Sequence, residues 1–594
     1  MIKPLIYNTA ILLLLLSPLS LSFHIPSSSK NLKTQSQSSD LRSATSDLPT
    51  PVHDEVQKAN SFLTDDAMER AEAGSKEEKI KLSKDVTQTW TDIHAYAAAI
   101  REGKTSWEDI SQDDMDYRLK WVGLLHRRKR TPGKFMMRLK VPNGIVTSSQ
   151  MRFYSKSVSE FDEEIGVVDI TTRQNIQLRG VTVEAASRII EGLHELNQTS
   201  FHSALDNVRN VVGSPLAGIS DTEVIDTRKL CTEVNDLIIR DASGAFGNPR
   251  FANLPRKFNI AISGGDDDFS HCNINDLGFH AVIAEDGSKG FNLDVGGYMS
   301  IKRVAESVPL NLWIPENSVV KLCDAVLTVF RDEGERKNRQ KSRLMWLVEQ
   351  YGVEDFTARI LKEAGEGGFR ERQPHVLRKD YVRQELLGVH PQNSTHSRVG
   401  LHIPTGRLTR YSCAALADLA DKYSDGEIRL TVDQNVIIPN VDNDDLKQLE
   451  IEVDAIENVD FTAGLIEGNV VSCTGAQFCG LALVETKANA RRVSKRLEEL
   501  VEVPKAVRMH WTGCPNSCGQ AQCGDIGLMG APARKEIDGK KVAVPGVNIF
   551  VGGKIGESPF LALEPRIKGI PLDGEEIVTV LAELLVSDFG GVMR

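Results

Sequence analysis

Four of the chain's nine cysteines lie in two tight pairs. Cys473 and Cys479 sit in "CTGAQFCG", and Cys514 and Cys518 in "VRMHWTGCPNSCGQ". Four thiolates from two loops can bind Zn²⁺ or an iron–sulfur cluster. Zinc knuckles use short spacers, so the five residues between Cys473 and Cys479 tell against zinc. The three residues between Cys514 and Cys518 predict that both lie on one face, one helical turn apart. Both pairs precede helix-compatible sequence, whose free N–H groups would favour an anionic cluster. Gly475, Gly480, Gly513 and Gly519 allow close approach of backbone to inorganic sulfide. The other five, Cys231, Cys272, Cys323, Cys413 and Cys523, are scattered. That pattern is no disulfide framework and suits a reducing compartment; Cys523 is read as packing.

A second group of residues is basic. Arg138 and Lys140 in "MMRLK", and Lys257 and Asn259 in "RKFN", are two apart and would share a face of a strand. Arg209 in "DNVRN" precedes a Val-Val-Gly-Ser turn, and Arg173, Gln177 and Arg179 fall in "TTRQNIQLRG". "ERKNRQKSR" carries Arg336, Arg339, Lys341 and Arg343 on what reads as a helix. Any one of these alone reads as a surface or salt-bridged group.

The elements that must position these residues repeat. Residues 135–194 run strand, Pro-Asn-Gly turn, helix, strand pair around "TTRQN", then the amphipathic "VEAASRIIEGLHEL". Residues 399–460 run in the same order around "TVDQN", 260 positions later. "VRNVVGSP" and "GNVVSCTG" keep nearly that offset. The repeat predicts two ferredoxin-like half-domains about a pseudo-two-fold axis, with a ligand held between them. The fold class is α+β: a duplicated ferredoxin-like central domain flanked by two α/β domains. The expected boundaries are a leader at 1–50, an N-terminal helical segment at 51–130 and the first half-domain at 131–214. A first α/β domain follows at 215–395, the second half-domain at 396–464, and a second α/β domain with the paired cysteines at 465–594. Lys76 to Lys84 reads as an exposed charged helix. A chain of 594 residues needs several cores, and a net charge of −11 argues against a nucleic-acid partner.

With these residues in view, "CTGAQFC" and "TGCPNSC" resemble the cysteine signature of the sirohaem plus [4Fe–4S] nitrite and sulfite reductases. "GKFMMRLKVPNG", "TTRQN", "DNVRN", "NLPRKFN" and "GVHPQ" resemble its plant-type ferredoxin–nitrite reductase branch. The resemblance runs from about residue 85 to the C-terminus. It implies that Cys473, Cys479, Cys514 and Cys518 bind the cluster and that Cys518 also bridges to the sirohaem iron. It places Arg138, Arg209, Lys257 and Asn259 at the substrate. It assigns Arg173, Gln177 and Arg179 to the sirohaem carboxylates, with Arg339 and Lys341 as further members. The implied activity is six-electron reduction of nitrite to ammonium. Sulfite-reducing relatives carry Lys-x-Lys where this chain has Lys257 and Asn259, and one fewer positive charge suits the monoanion nitrite. Sulfite reduction, or a non-catalytic structural zinc protein, are the alternatives.

No convincing GxGxxG strand–helix unit for flavin or nicotinamide is present, so the donor is an external one-electron protein, expected to be the acidic ferredoxin. Its docking patch is expected at Arg127–Arg130, or at Lys487, Arg491, Arg492, Lys495 and Arg496. "MIKPLIYNTAILLLLLSPLSLSF" reads as a signal sequence, and the serine-rich stretch after it as a transit peptide. Together they predict import into a plastid, with secretion as the alternative; a mature stromal monomer without a membrane segment is a separate expectation. Because one sulfur is implied to touch both cofactors, Cys518→Ser should disturb cluster and sirohaem signals together. Normal spectra and activity in that variant would remove its bridging role.

Overall fold

The computed structural model describes residues 57–267, 269–374, 383–554 and 559–594. The expected leader at 1–50 lies outside the described residues. Two antiparallel five-stranded sheets form the centre. The first runs Leu124–Arg127, Thr131–Arg138, Ile176–Val181, Val168–Ile170 and Arg407–Leu408. The second runs Gly388–Pro391, His396–Leu401, Val436–Asp442, Glu427–Leu430 and Ile145–Thr147. The last strand of each list comes from the other half of the chain. Leu408 pairs with Val168, and Val146 with Ile428. The repeats are therefore interlocked by an exchanged edge strand, which protects an edge of each sheet. The first strand, Leu124–Arg127, falls in a stretch expected to be helical.

The helices cover these sheets as their patterns require. Val183–Glu195 buries Val183, Ala186, Ile190 and Leu193, a stripe at helical spacing, and Thr182 caps it by accepting from Ala185 N. Ser148–Val158 and Arg410–Tyr423 share one core across the two halves, with the Cys413 thiol 3.3 Å from the Met151 carbonyl.

The two-fold relation extends to single torsions. Pro142-Asn143-Gly144 and Pro404-Thr405-Gly406 make the same turn, with Asn143 and Thr405 both at φ 55° and Gly144 and Gly406 at 71° and 69°. A β-carbon on Gly144 would stand 2.6 Å from the Leu430 carbonyl, and one on Gly406 2.9 Å from the Ile170 carbonyl. Gln174 and Gln434 are both left-handed, and each anchors an outer sheet. The Gln174 side chain accepts from Gly213 N at 3.1 Å, and Gln434 accepts from Ser472 N at 2.6 Å.

Those outer sheets are also twins, a relation that the sequence signalled only at their first strands, in "VRNVVGSP" and "GNVVSCTG". One runs Val212–Gly213, Ile260–Ser263, Leu277–Ile283, Lys289–Val295, Val308–Pro315. The other runs Val470–Ser472, Met509–Thr512, Ile526–Ile537, Lys540–Val551, Ile567–Pro571. In both, the first three strands are parallel and the remaining pairings antiparallel. Arg228–Ile239 and Lys487–Leu500 are the matching crossover helices. His271 and Gln520, both left-handed, open matching 3₁₀ turns after the second strand.

Two local expectations are corrected. Helix Lys76–Ser83 is not an exposed lead-in: Glu78 and Lys81 are buried, and Arg336 reaches Glu78 at 2.8 Å. The basic run 336–343 is not a helix either. Helix Val319–Glu333 stops at Gly334, and only a 3₁₀ turn, Arg339–Lys341, precedes the next helix at Leu344. The arginines there bind partners distant in sequence, which fixes an irregular path.

Gly144→Ala and Gly406→Ala should each destabilise the protein by more than about 1 kcal/mol, since alanine is strained at positive φ and the new methyl meets a carbonyl. Chemical denaturation measures this. Unchanged midpoints would show that the paired turns do not hold the halves together.

Candidate functional site

The cysteines follow from the parallel strands. Val470–Ser472 and Met509–Thr512 lie side by side, Ser472 opposite Trp511, so the loops at their carboxyl ends emerge together. Cys473 leaves the first strand, while Cys514 and Cys518 follow the second. Gly513 N donates to Cys473 Sγ at 3.2 Å, and Asn516 Nδ2 to Cys514 Sγ at 3.6 Å. All four sulfur-bearing residues line one cleft, and all four are free thiols.

The expected helical turn between Cys514 and Cys518 is absent. Pro515 and a left-handed Ser517 make a tight turn instead, locked by Ser517 Oγ donating to Gln522 Oε1 at 2.6 Å. The helix at Lys487 does not follow Cys479 directly but begins beside Cys473, since Thr486 Oγ1 donates to the Cys473 carbonyl at 2.8 Å. Only a 3₁₀ turn, Ala521–Cys523, follows Cys518. A β-carbon on Gly519 would meet the Trp511 carbonyl at 2.1 Å, so this loop needs glycine there. Among the described residues no three His, Cys, Asp or Glu side chains close around a single-ion site. The sulfurs instead stand around the wall of a cleft of ≈ 1500 Å³, its open mouth included. Four thiolates on one cleft are the ligand set of a [4Fe–4S] cluster.

The rest of the cleft is strongly basic. Among the described residues, Arg127, Arg138, Arg173, Arg179, Arg209, Lys257 and Lys487 are seven lining cations, and Asp169 is the one lining carboxylate. Asp169 is already engaged: Arg179 Nε donates to it at 2.9 Å and Arg407 Nε at 2.8 Å. Burial pulls Arg138, Arg173 and Arg179 down to about 10, with neighbouring guanidiniums adding to the effect on Arg138 and Arg173. Burial also takes Arg209 and Lys257 well below their ordinary values, helped by Arg138 at Arg209 and by Arg343 at Lys257. The Cys518 thiol is pushed up to about 11, first by desolvation, although Lys257 pulls the other way.

Four of the arginines are held in place by hydrogen bonds. Arg138 and Arg209 both donate to the Ser203 carbonyl, at 3.4 and 3.1 Å. Arg173 donates to Asn275 Oδ1 at 3.0 Å. Arg179 donates to Gln177 Oε1 at 2.6 Å and to Thr474 Oγ1 at 2.8 Å, tying it to the first cysteine loop. Asn259, with its amide oxygen turned toward the guanidiniums, accepts from Arg173 and Arg343 at 3.1 Å each.

The structure thus brings Arg138, Arg173, Gln177, Arg179, Arg209, Lys257 and Asn259 into one cleft with the four cysteines. It does not bring Arg339 and Lys341 there. Arg339 is paired in both directions with Asp206 at 2.9 Å, and Lys341 lies over the Trp346 ring, 5.4 Å from its centroid. Lys140 turns inward and donates to the Val208 and Arg209 carbonyls at 2.8 and 3.0 Å. Two expected docking residues line the cleft instead. Arg127 ends its strand facing inward, and Lys487 is buried in the first helical turn, donating to the Thr405 carbonyl. Lys487 is lowered to about 8 by burial.

A polycarboxylated tetrapyrrole fits this donor set. Buried cations without counter-charges are costly, and Arg179 Nη1 has no hydrogen-bond partner among the described residues.

Comparison with known proteins agrees with this geometry. Residues 204–367 and 467–586 match the profile described as "Nitrite and sulphite reductase 4Fe-4S domain". Residues 127–196 and 390–456 match "Nitrite/Sulfite reductase ferredoxin-like half domain". The chain is 44% identical over 526 residues to the chloroplastic ferredoxin–nitrite reductase of Oryza sativa subsp. japonica, covering 87% of this chain and 85% of that protein. It is also 44% identical to the ferredoxin–nitrite reductase of Synechococcus elongatus, covering 88% and 98%. Among solved structures, the Mycobacterium tuberculosis NirA protein superposes with a TM-score of 0.76 at 26% identity, covering 86% of this chain and 93% of that one.

The surplus of cations predicts that the protein stripped of prosthetic groups is stabilised by a metal-free tetrapyrrole octacarboxylate. At a hundredfold excess over Kd the gain is about 2.7 kcal/mol. Arg173→Ala should weaken that binding, read as a smaller rise in Tm. No rise in the unaltered protein would contradict an anion-binding cleft.

Proposed function

The chain belongs to the nitrite and sulfite reductase family, and we propose that Arg138, Arg209, Lys257 and Asn259 form its nitrite-binding wall. Its reaction is the ferredoxin-dependent reduction of nitrite to ammonium, as in relatives 44% identical over most of their length. The observation that carries the residue assignment is the meeting of four cysteines and seven cations in one cleft. Cys473, Cys479, Cys514 and Cys518 would hold the [4Fe–4S] cluster, Cys518 being shared with the sirohaem. Arg173 and Arg179, the latter aligned by Gln177, would hold sirohaem carboxylates, as would Arg127 and Lys487. When bound, these groups would supply one-electron storage and the iron chemistry of nitrite reduction.

Nitrogen passes from oxidation state +3 to −3, so one nitrite takes six electrons and eight protons, giving ammonium and two waters. Arg138 and Arg209, fixed on one carbonyl, offer N–H groups to the anionic oxygens where water is scarce and each charge acts strongly. Lys257, which burial takes well below the ordinary lysine value, parts with its proton more easily than an exposed lysine and serves as the acid for a leaving oxygen. Asn259 is neutral and keeps Arg173 and Arg343 in register.

The donor ferredoxin meets the protein where the cluster loop reaches the surface. Leu481 and Leu483, just after Cys479, are 67% and 54% exposed. Arg128, Lys129 and Arg130 form an exposed turn directly beyond Arg127. Arg491, Arg492, Lys495 and Arg496 are exposed on the helix that starts at Lys487. The chloroplastic relatives support action in a plastid; import through the bipartite leader and a monomeric stromal enzyme complete the reading. Among the described residues no helix is long and apolar enough to cross a membrane.

Ammonium formed per reduced ferredoxin tests the activity: one for every six is expected, and nitrite loss without ammonium would refute it. Asn259→Lys should raise the sulfite-to-nitrite activity ratio with a small reductant, counted per sirohaem. An unchanged ratio would remove Asn259 as the discriminating residue.

Ferredoxin-driven turnover should also fall with salt more steeply than turnover with a small reductant, as the Debye length shrinks from about 10 Å at 0.1 M to about 3 Å at 1 M. Reversing Arg491, Arg492, Lys495 and Arg496 to Glu should raise the ferredoxin KM and flatten that salt slope. If KM and slope hold, the Arg128–Arg130 turn is the docking site.

A further inference from the structure

Behind the cleft lies a second group of ionisable side chains that the reaction above does not use. His271 comes from the first outer domain, Asp433 from the second half-domain and His510 from the second outer domain. His271 and His510 are 2% and 1% exposed. The His510 Nδ1 faces two carbonyls, Gly519 at 2.9 Å and Gln520 at 3.1 Å. Two acceptors require that Nδ1 carry the proton, so Nε2 is the bare, basic nitrogen. That Nε2 has no partner among the described residues, and neither has either ring nitrogen of His271. Asp433 accepts from Arg383 Nη2 at 2.7 Å, but its Oδ1, Arg383 Nη1 and the Gln520 side-chain oxygen are also unpartnered. Buried polar atoms are rarely left so, and a cluster of them from several chain segments is the usual signature of internal water.

The group is one residue away from the cleft. Gln434 and Gln520 line the cleft, Gln434 next to Asp433 and Gln520 hydrogen-bonded through its carbonyl to His510. On the outer side stand Arg508 and Asp525, paired at 3.4 Å, and the exposed Glu385. Among the described residues, the charged groups that act on the two histidines are Asp433, Arg383, Arg508 and Asp525, and each histidine acts on the other or on the shared Asp433. Burial keeps both imidazoles neutral at pH 7, at about 3 for His271 and about 4 for His510.

We propose that His271, Asp433 and His510 line a hydrated chamber that passes protons from the Glu385 side to the nitrite cleft. Water bridges the bare His510 Nε2, the His271 ring and Asp433 Oδ1. A proton taken up on this chain of water and imidazole is held by the Asp433 charge and released toward Gln520, and each imidazole returns to its neutral form. No electrons move in these steps. Eight protons are consumed per nitrite, and the cleft's own cations repel incoming hydronium, so a path carrying its own carboxylate is favoured.

This inference rests on the nitrite reduction proposed above, which the unaltered protein's ammonium yield tests separately. The isosteric Asp433→Asn, with His510→Gln, is compared with the unaltered enzyme using a small reductant, at equal sirohaem and cluster absorbance. The expected result is a kcat lower by about tenfold, less than for a group touching the reacting atoms because the relay acts through water. The nitrite KM should stay the same, and the solvent deuterium isotope effect on kcat should rise. Unchanged kcat and isotope effect, or a loss matching lost cofactor, would overturn the relay. A crystal structure of the unaltered enzyme gives a second reading that needs no variant: ordered water between His271, Asp433 and His510 is expected, and a dry or protein-filled space there would refute the chamber.

Discussion

The positive charge packed into one cleft constrains the rest of the structure. Among the described residues, seven cations line a space with a single carboxylate, already taken by Arg179 and Arg407. Like charges so close, and so poorly hydrated, oppose folding unless an anion answers them. A tetrapyrrole bearing eight carboxylates, a cluster on four thiolates and an anionic substrate each supply that answer. Backbone carbonyls hold the guanidiniums in the meantime: Ser203 takes both Arg138 and Arg209. The same field explains why a protein of net charge −11 can attract nitrite.

Such a cleft needs walls from several parts of the chain held without slack, and duplication provides them. The exchanged strands Ile145–Thr147 and Arg407–Leu408 stitch one half-domain into the other. Gln174 and Gln434 then fasten each outer sheet to its centre, so the loops after Val470–Ser472 and Met509–Thr512 arrive at the basic wall. Twin loops have diverged in chemistry. Where the second outer domain places Gln520 in its cysteine loop, the first places His271, and the position of Arg173 in one half is occupied by Asp433 in the other. The cleft gathers cations, while the buried group beside it mixes Asp433 with the neutral imidazoles of His271 and His510.

Much of this was legible in the sequence because it resides in short motifs. The cysteine spacings, the two-apart Lys257 and Asn259, and the 260-residue offset are all local signals. What was not legible depends on distant contacts. Nothing near Arg339 announces Asp206, 133 positions away, which takes its guanidinium out of the cleft. Arg127 and Lys487 look like members of solvated basic runs. Only the strand end and the first inward turn of a helix decide that they face the cysteines. The turn at Ser517 was misread because a three-residue spacer fits a helix as well as a left-handed turn, and Pro515 decides between them. The relation between the outer domains showed in sequence only at their first strands, "VRNVVGSP" and "GNVVSCTG", since strand order can persist after sequence similarity has faded.

The direct test of the central claim, that cysteines and cations jointly hold a coupled sirohaem and iron–sulfur cluster, is the absorption spectrum of the purified protein with iron, sulfide and zinc analysis. The account predicts tetrapyrrole bands, one tetrapyrrole iron plus four cluster irons per chain, matching sulfide and no zinc. A colourless protein with one zinc per chain would contradict it.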